Sequence, residues 1–286
     1  MPSPYPDLCS LRNAMRRIEG FSLTRGTASG GDAEVQSLQG GHTTQRVPLG
    51  AAPLDGILGG GLRPGSLHEV VAETARDEAA ASGFAVALAG LVARGRTLVW
   101  ILDDRTAWEI GLPYRPGLAA HGIEADKLIL VKTKDTATTL WATEEALRAG
   151  APVVLTELWR ARSYDLAVSR RLLLAARRRG ATNLVVHVGL RQHEVSSGAE
   201  TRFAVAAAPS ERLPSAGAAT PIPGPAGFAV RLVKWRGDPD SRFGFDRDQI
   251  HHLSWDRSGR RFSRPNDLSR LSGRHRTEAS PRGDAA

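Results

Sequence analysis

Between residues 46 and 256 the apolar positions fall into short continuous runs separated by longer stretches of helical spacing. The runs are LHEVVA (67–72), LVWIL (98–102), KLILVK (127–132), PVVLTEL (152–158) and NLVVHVGL (183–190). Each is short and rich in β-branched residues, as strands buried on both faces require. The intervening spacing predicts helices at about 77–94, 115–121, 135–149 and 163–179. Strands alternating with helices imply a parallel central sheet with right-handed crossovers and helices on both faces. After NLVVHVGL the pattern changes. TRFAVAAA, FAVRLVKWR, RFGFDR and HHLSW follow with no helix among them, which predicts an antiparallel C-terminal extension. Pro214, Pro221, Pro223 and Pro225 mark the loop inside that extension as an exposed surface feature.

The pattern weakens at both ends and divides the chain into three parts. Residues 1–45 hold a short basic amphipathic helix, SLRNAMRRIEG, with Leu11, Met15 and Ile18 on one side, followed by a Gly/Ser/Thr-rich linker. Residues 46–256 form the compact core. Residues 257–286 carry eight arginines against three acids and so supply most of the net charge of +8. So few apolar residues predict a tail that is disordered alone and suited to a polyanion or an acidic partner. Within it Arg257, Arg260, Arg261, Arg264, Leu268 and Leu271 are the candidate docking residues. Cys9 is the sole cysteine, which excludes an internal disulfide and a thiolate metal cluster. With no apolar run near the roughly 18 residues of a membrane span and no secretion-type leader, the expectation is a soluble, cytoplasmic protein with no membrane partner.

The turn after LHEVVA decides the chemistry. The segment VPLGAAPLDGILGGGLRPGSLHEV, with a Leu-Asp, a triple glycine and an Arg-Pro-Gly leading into a buried strand, turn and helix, resembles the RecA family of recombinases and ATPases. The resemblance runs from about Val47 to about Trp255 and includes the late hairpin VRLVKWRGDPDSRFGFD. It implies a RecA-like core whose first strand ends in a phosphate loop, G-x-x-x-x-G-K-[ST], where backbone amides and a lysine hold phosphates. Here that loop falls on AETARDEA. Ala72 and Asp77 stand at the glycine positions, Glu78 at the lysine and Ala79 at the hydroxyl, with Glu73 between. None of the four lysines follows a glycine, so no other register restores the motif. An unpaired carboxylate about 4 Å from a phosphate charge costs roughly 4 kcal/mol at an effective dielectric of about 20. The degenerate loop therefore predicts no nucleotide, no cofactor and a pseudo-ATPase. The same residues suit a helix start, since Thr74 and Asp77 match a T-x-x-D capping pattern.

Other positions that the resemblance marks as catalytic have changed too. Arg105 follows Asp103 and Asp104 where a second-step glutamate is expected, and the two aspartates read as a helix cap. Thr156 and Glu157 stand where a Mg²⁺-orienting aspartate belongs. Within the RecA relatives, the stretches PLGAAPLDGILGGGLRPGSLHEVVAE, RTLVWILDDRTAWEIGLPYRPGLAAHGI and VRLVKWRGDPDSRFGFD resemble the ImuA family of SOS mutagenesis accessory proteins. That resemblance implies an adaptor in translesion synthesis working beside ImuB, a catalytically inactive Y-family polymerase homologue, and an error-prone C-family polymerase, with DNA and RecA as further candidate partners. The alternative is an ATP-dependent recombinase, a recombination mediator or a modulator of RecA.

Several basic residues are candidates for DNA or partner contact. Arg170, Arg171, Arg177, Arg178 and Arg179 lie on one predicted helix, where the last three also suit its C-terminal dipole before Gly180. Arg191 and Arg202 flank the position of a recombinase's second mobile loop, whose sequence here is nearly neutral. Lys234, Trp235, Arg236 and Arg242 interleave cations with an aromatic on the late hairpin, a composition that can stack on unpaired bases. His251 and His252 have no further ligands beside them in sequence, so metal is not expected.

Overall fold

The computed structural model describes residues 45–189, 196–210, 212–213, 222–237 and 245–265. The predicted N-terminal helix and linker, Arg191, Arg242, Leu268 and Leu271 lie outside the described residues. A short helix α1 (Ala52–Ile57) leads into β1 (Leu67–Ala72), α2 (Glu78–Ala93), β2 (Leu98–Asp103), α3 (Asp104–Ile110), α4 (Arg115–Ala119) and β3 (Leu128–Thr133). Then come α5 (Thr136–Arg148), β4 (Val153–Trp159), α6 (Leu166–Arg179), β5 (Thr182–Val188) and β6 (Thr201–Ala208). A two-strand ladder, β7 (Arg212–Leu213) with β8 (Ile222–Pro223), precedes β9 (Gly227–Trp235), β10 (Ile250–Asp256) and β11 (Arg261–Ser263).

Nine strands form one sheet in the order β11-β10-β9-β6-β1-β5-β4-β2-β3. Strands β1 to β6 are mutually parallel and β9 to β11 extend the sheet antiparallel. This is the expected α/β layout, a mostly parallel central sheet with an antiparallel C-terminal extension and β1 at its centre. One expectation is corrected: TRFAVAAA was assigned to the antiparallel part, but β6 pairs parallel to β1. The sequence between β5 and β6 carries no helical spacing, so helix alternation alone could not reveal the strand's direction. RFGFDR is no strand over its described residues, which form a turn leading into β10.

The two faces are filled separately. On one, α2 lays Phe84 among Phe203, Phe228 and Phe262, with ring centroids 5.0–5.8 Å apart. On the other, α5 and α6 pack Leu140, Leu147, Leu172 and Ala176 over β4 and β5. Phe262 is fully buried on β11, so the core runs past the expected boundary at 256. Its neighbours Arg260, Arg261 and Arg264 make the segment read as tail, yet Asp256 Oδ1 accepts from the Ser258 and Gly259 amides and turns the chain back into the sheet. A truncation that removes only the tail begins after Pro265.

The sequence motif ahead of β1 has a local cause. Asp55 accepts from the amides of Leu49 and Gly50 at 2.7 and 2.9 Å, fixing the start of α1. Val47 and Leu62 then exchange backbone hydrogen bonds across the triple glycine. At Gly61, with φ +124°, a Cβ would sit 2.1 Å from Val47 O, so only glycine permits the pairing.

One buried ionic cluster ties the α5/α6 face together. Glu69, in the middle of β1, accepts from Tyr164 Oη (2.6 Å), Arg202 Nε (2.7 Å) and Ser197 Oγ (2.9 Å). Tyr164 follows β4 and Ser197 precedes β6, so the ends of two loops are pinned to the central strand. Arg202 is thereby buried in an ion pair and is withdrawn as a DNA contact. Burial pushes the Glu69 carboxyl up, but His187 with Nε2 3.9 Å away, Arg202 and Tyr164 outweigh it and bring it down to about 2 from 4.5. A depressed carboxyl stabilises the fold above its unfolded pKa and loses that stability as the pH falls through its folded pKa. Urea unfolding should therefore show a loss of up to about 3 kcal/mol between pH 4.5 and about 2 attributable to this group. The double substitution Glu69→Gln with Arg202→Met should flatten that acid limb; an unchanged limb would remove the cluster as its cause.

Candidate functional site

β1 ends at Ala72, and the chain turns through Glu73 and Thr74 into a 3₁₀ turn, Ala75–Asp77, before α2 begins at Glu78. Every acid of this turn accepts hydrogen bonds from the protein's own donors. Glu73 receives both arms of Arg231 on β9, at 2.6 and 2.9 Å. Asp77 Oδ2 receives the Thr74 amide and hydroxyl, and its Oδ1 receives the Ala207 amide of β6 at 2.9 Å. Glu78 Oε1 receives the amide of Gly189, just past β5, at 3.0 Å. Slight burial works against Asp77, yet the bonds from Thr74 and Ala207 hold its carboxyl below the usual range. The expected Thr74/Asp77 capping box is present, with one refinement: it closes the 3₁₀ turn, and neither residue's side chain caps the first amides of α2. Ala79 presents only a methyl group here.

The remaining positions of the resemblance are accounted for by structural contacts. Asp103 Oδ1 accepts from the Thr106 amide at 2.7 Å and caps α3, while Asp104 pairs with Lys132 at 3.0 Å. Arg105 reaches Glu109 at 3.5 Å and lies 6.0 Å from the Trp159 ring. Thr156 is fully buried and shares a hydrogen bond with Thr143 of α5 at 3.0 Å. Glu157 points to the opposite face of β4, where its Oε2 accepts from the Trp100 indole at 3.1 Å. Burial pushes its carboxyl up, only partly offset by the Ser82 hydroxyl and the indole.

Beside the turn lies a cleft of about 520 Å³, lined by Arg76, Glu78, Ala79, Ser82, Trp100, Glu157 and the segment Glu109–Pro113. Three acids and one arginine line it, so its electrostatics oppose a polyphosphate. Among the described residues no group of three or more His, Cys, Asp or Glu could hold a metal. His251 and His252 point to opposite faces of β10, one buried and one exposed. Also among the described residues, no helix is long and apolar enough to cross a membrane.

The basic candidates separate into two groups. Arg170 and Arg177 of α6 meet Arg236 at the end of β9 around a groove of about 500 Å³, with Leu173, Leu174, Gly198 and Glu200 completing its walls. Arg178 and Arg179 are exposed at the helix C-terminus, closed by Gly180 in the left-handed conformation. Arg236 also donates to the Ser197 carbonyl at 3.2 Å while lining the groove, and the remaining candidates are occupied away from it. Arg171 binds Glu144 at 2.6 Å, and Trp235 is buried against Phe245, so its ring is unavailable to a base. Strand aromatics serve core packing more often than stacking, and this one does. Lys234 turns its ammonium to the carbonyl of Ser197 at 2.6 Å. Burial brings it down to about 8, with Glu69 opposing and Arg236 and Arg202 adding. Of the tail candidates within the described residues, Arg257, Arg260 and Arg264 are exposed, and Arg261 approaches Asp256 at 3.9 Å.

Sequence reasoning missed Glu69, Arg231 and the groove. A lone glutamate inside a strand buried on both faces was a readable signal, because such a charge must find a partner. Arg231 had no signal, since its pairing with Glu73 joins residues far apart in the chain.

No protein-family model matches the chain. The protein ImuA of Caulobacter vibrioides, in each of two strains, is 34% identical over 208 residues, covering 68% of this chain and 80% of its own length. A RadB recombinase crystal structure is similar at a TM-score of 0.46 with 14% identity, over 76% of this chain and 99% of its own. On the sequence relationship to the Caulobacter proteins, the chain belongs to the ImuA family.

Proposed function

We propose that the chain is a non-catalytic accessory protein of damage-induced SOS mutagenesis and translesion synthesis. In this reading it bridges an inactive Y-family polymerase homologue of the ImuB type, an error-prone C-family polymerase and DNA. One observation carries the non-catalytic part: Glu73, Asp77 and Glu78 all accept hydrogen bonds from donors of the fold itself. Backbone amides and an arginine that would suit a phosphate are already satisfied by carboxylates. A nucleotide binding there would have to break those bonds and bring its own charge beside the acids. ImuA membership supports the mutagenesis setting, and the Arg170, Arg177 and Arg236 groove supports contact with a polyanion.

ATP turnover by the full chain with Mg²⁺ and single-stranded DNA is expected to stay at the buffer background. Turnover above it that drops on Glu157→Gln or Glu78→Ala would refute the non-catalytic reading.

DNA contact through the groove has a separate signature. Replacing Arg170, Arg177 and Arg236 together with alanine should weaken binding of a single-stranded oligonucleotide of about 30 nucleotides by tenfold or more. The slope of log affinity against log salt should flatten by about 2, since each lost phosphate contact removes about 0.7 on single strands. Fluorescence anisotropy across a salt series reads both quantities. Unchanged affinity and slope would move DNA contact off this groove.

A further inference from the structure

The cleft beside the degenerate turn has an unsatisfied floor. Glu157 Oε2 is held by Trp100, while Oε1 is buried beside the Ser82 hydroxyl, which lies near enough to favour the charged carboxylate but outside hydrogen-bond geometry, so neither atom has a well-formed partner. A buried acceptor left unpaired costs about 1–3 kcal/mol, and this one lines an open cleft. The walls add Glu78 and Glu109, with Arg76 the one cation. Around the rim the side chains are apolar. Ile110, Leu112 and Pro113 line the cleft, and on the same segment Trp108 is 88% exposed, Tyr114 74% and Leu112 52%. Large exposed aromatics beside a cleft are the composition of a contact surface. The group that suits the floor is a hydrogen-bond donor with positive charge, and the group that suits the rim is a large apolar side chain.

One segment of this chain has both. Residues 10–20 present Arg12, Arg16 and Arg17 among Leu11, Met15 and Ile18. They are joined to Gln45 by the 24 residues 21–44, for which a Gly/Ser-rich chain has a root-mean-square reach of about 27 Å. Val47 pairs with Leu62 just ahead of β1, and the cleft lies past the other end of that six-residue strand, a distance of roughly 20 Å along it. The tether is therefore long enough, and it holds the segment at an effective concentration of about millimolar.

We propose that residues 10–20 dock in this cleft within the same chain, an arginine reaching Glu157 and the apolar face covering Trp108 and Leu112. The site where RecA relatives take a nucleotide is then filled in cis by a basic segment. This inference does not depend on which partners the protein has.

The sole cysteine, Cys9, stands beside the segment and allows a direct trap. Under mild oxidation, full-length protein carrying Leu112→Cys should form an intrachain disulfide with Cys9 at least tenfold faster than protein carrying Leu174→Cys. Leu174 is also exposed but lies on α6, on the other face of the sheet. Non-reducing electrophoresis at several protein concentrations separates intrachain from interchain products. Adding Arg16→Glu and Arg17→Glu, both outside the described residues, should remove the tenfold preference while leaving thermal melting unchanged. Equal rates at the two positions, or a preference that survives the charge reversal, overturns the proposal. A product whose rate rises with protein concentration assigns the cleft to a second copy and overturns docking in cis.

Discussion

The hydrogen bonds donated to Glu73, Asp77 and Glu78 are the constraint on which the rest of the structure depends. They come from three strands' worth of neighbours: Arg231 on β9, the Ala207 amide on β6 and the Gly189 amide after β5. In a nucleotide-binding relative such donors at the end of the first strand would be free to meet phosphates. Here they fasten the turn to the sheet on both sides of β1. The acids thus stitch the antiparallel extension and the β5 exit to the centre of the fold.

The fold carries two differently charged regions. The end of the sheet near α2 carries the acidic cleft, lined on one side by Ile110, Leu112 and Pro113. The α6 side carries Arg170, Arg177 and Arg236 around a second groove. Between them runs the buried Glu69 cluster, which fixes Tyr164 and Ser197 at the edges of the sequence segments that follow β4 and precede β6. Rigid placement of short loop ends suits a protein that presents surfaces, because contacts made on rigid elements lose less entropy on binding.

Much of this was legible in the sequence. Five parallel strands follow from continuous β-branched runs, and the degenerate turn follows from counting four lysines and finding none after a glycine. Local capping by Thr74 and Asp103 was also readable, since such bonds span two or three residues. What escaped was non-local. The parallel direction of β6 is set by its pairing with β1, more than 120 residues earlier, and Phe262 is a single apolar residue among arginines whose burial depends on three other rings. Arg202 and Trp235 looked like nucleic-acid contacts by composition, but partners distant in sequence, Glu69 and Phe245, claim them. Spacing reports what a residue is next to along the chain, and a buried ion pair is decided by what lies across the sheet.

The central claim is that carboxylates of the chain itself have replaced the phosphate. Any ligand that binds the folded state stabilises it, by about 2.7 kcal/mol at 100 times its Kd. The most direct measurement is the thermal melting of the full chain across a titration of Mg·ATP, with sodium chloride matched for ionic strength as the reference. The account predicts coincident melting curves with the two additives. A saturating, Mg²⁺-dependent rise in Tm over the salt control would contradict it.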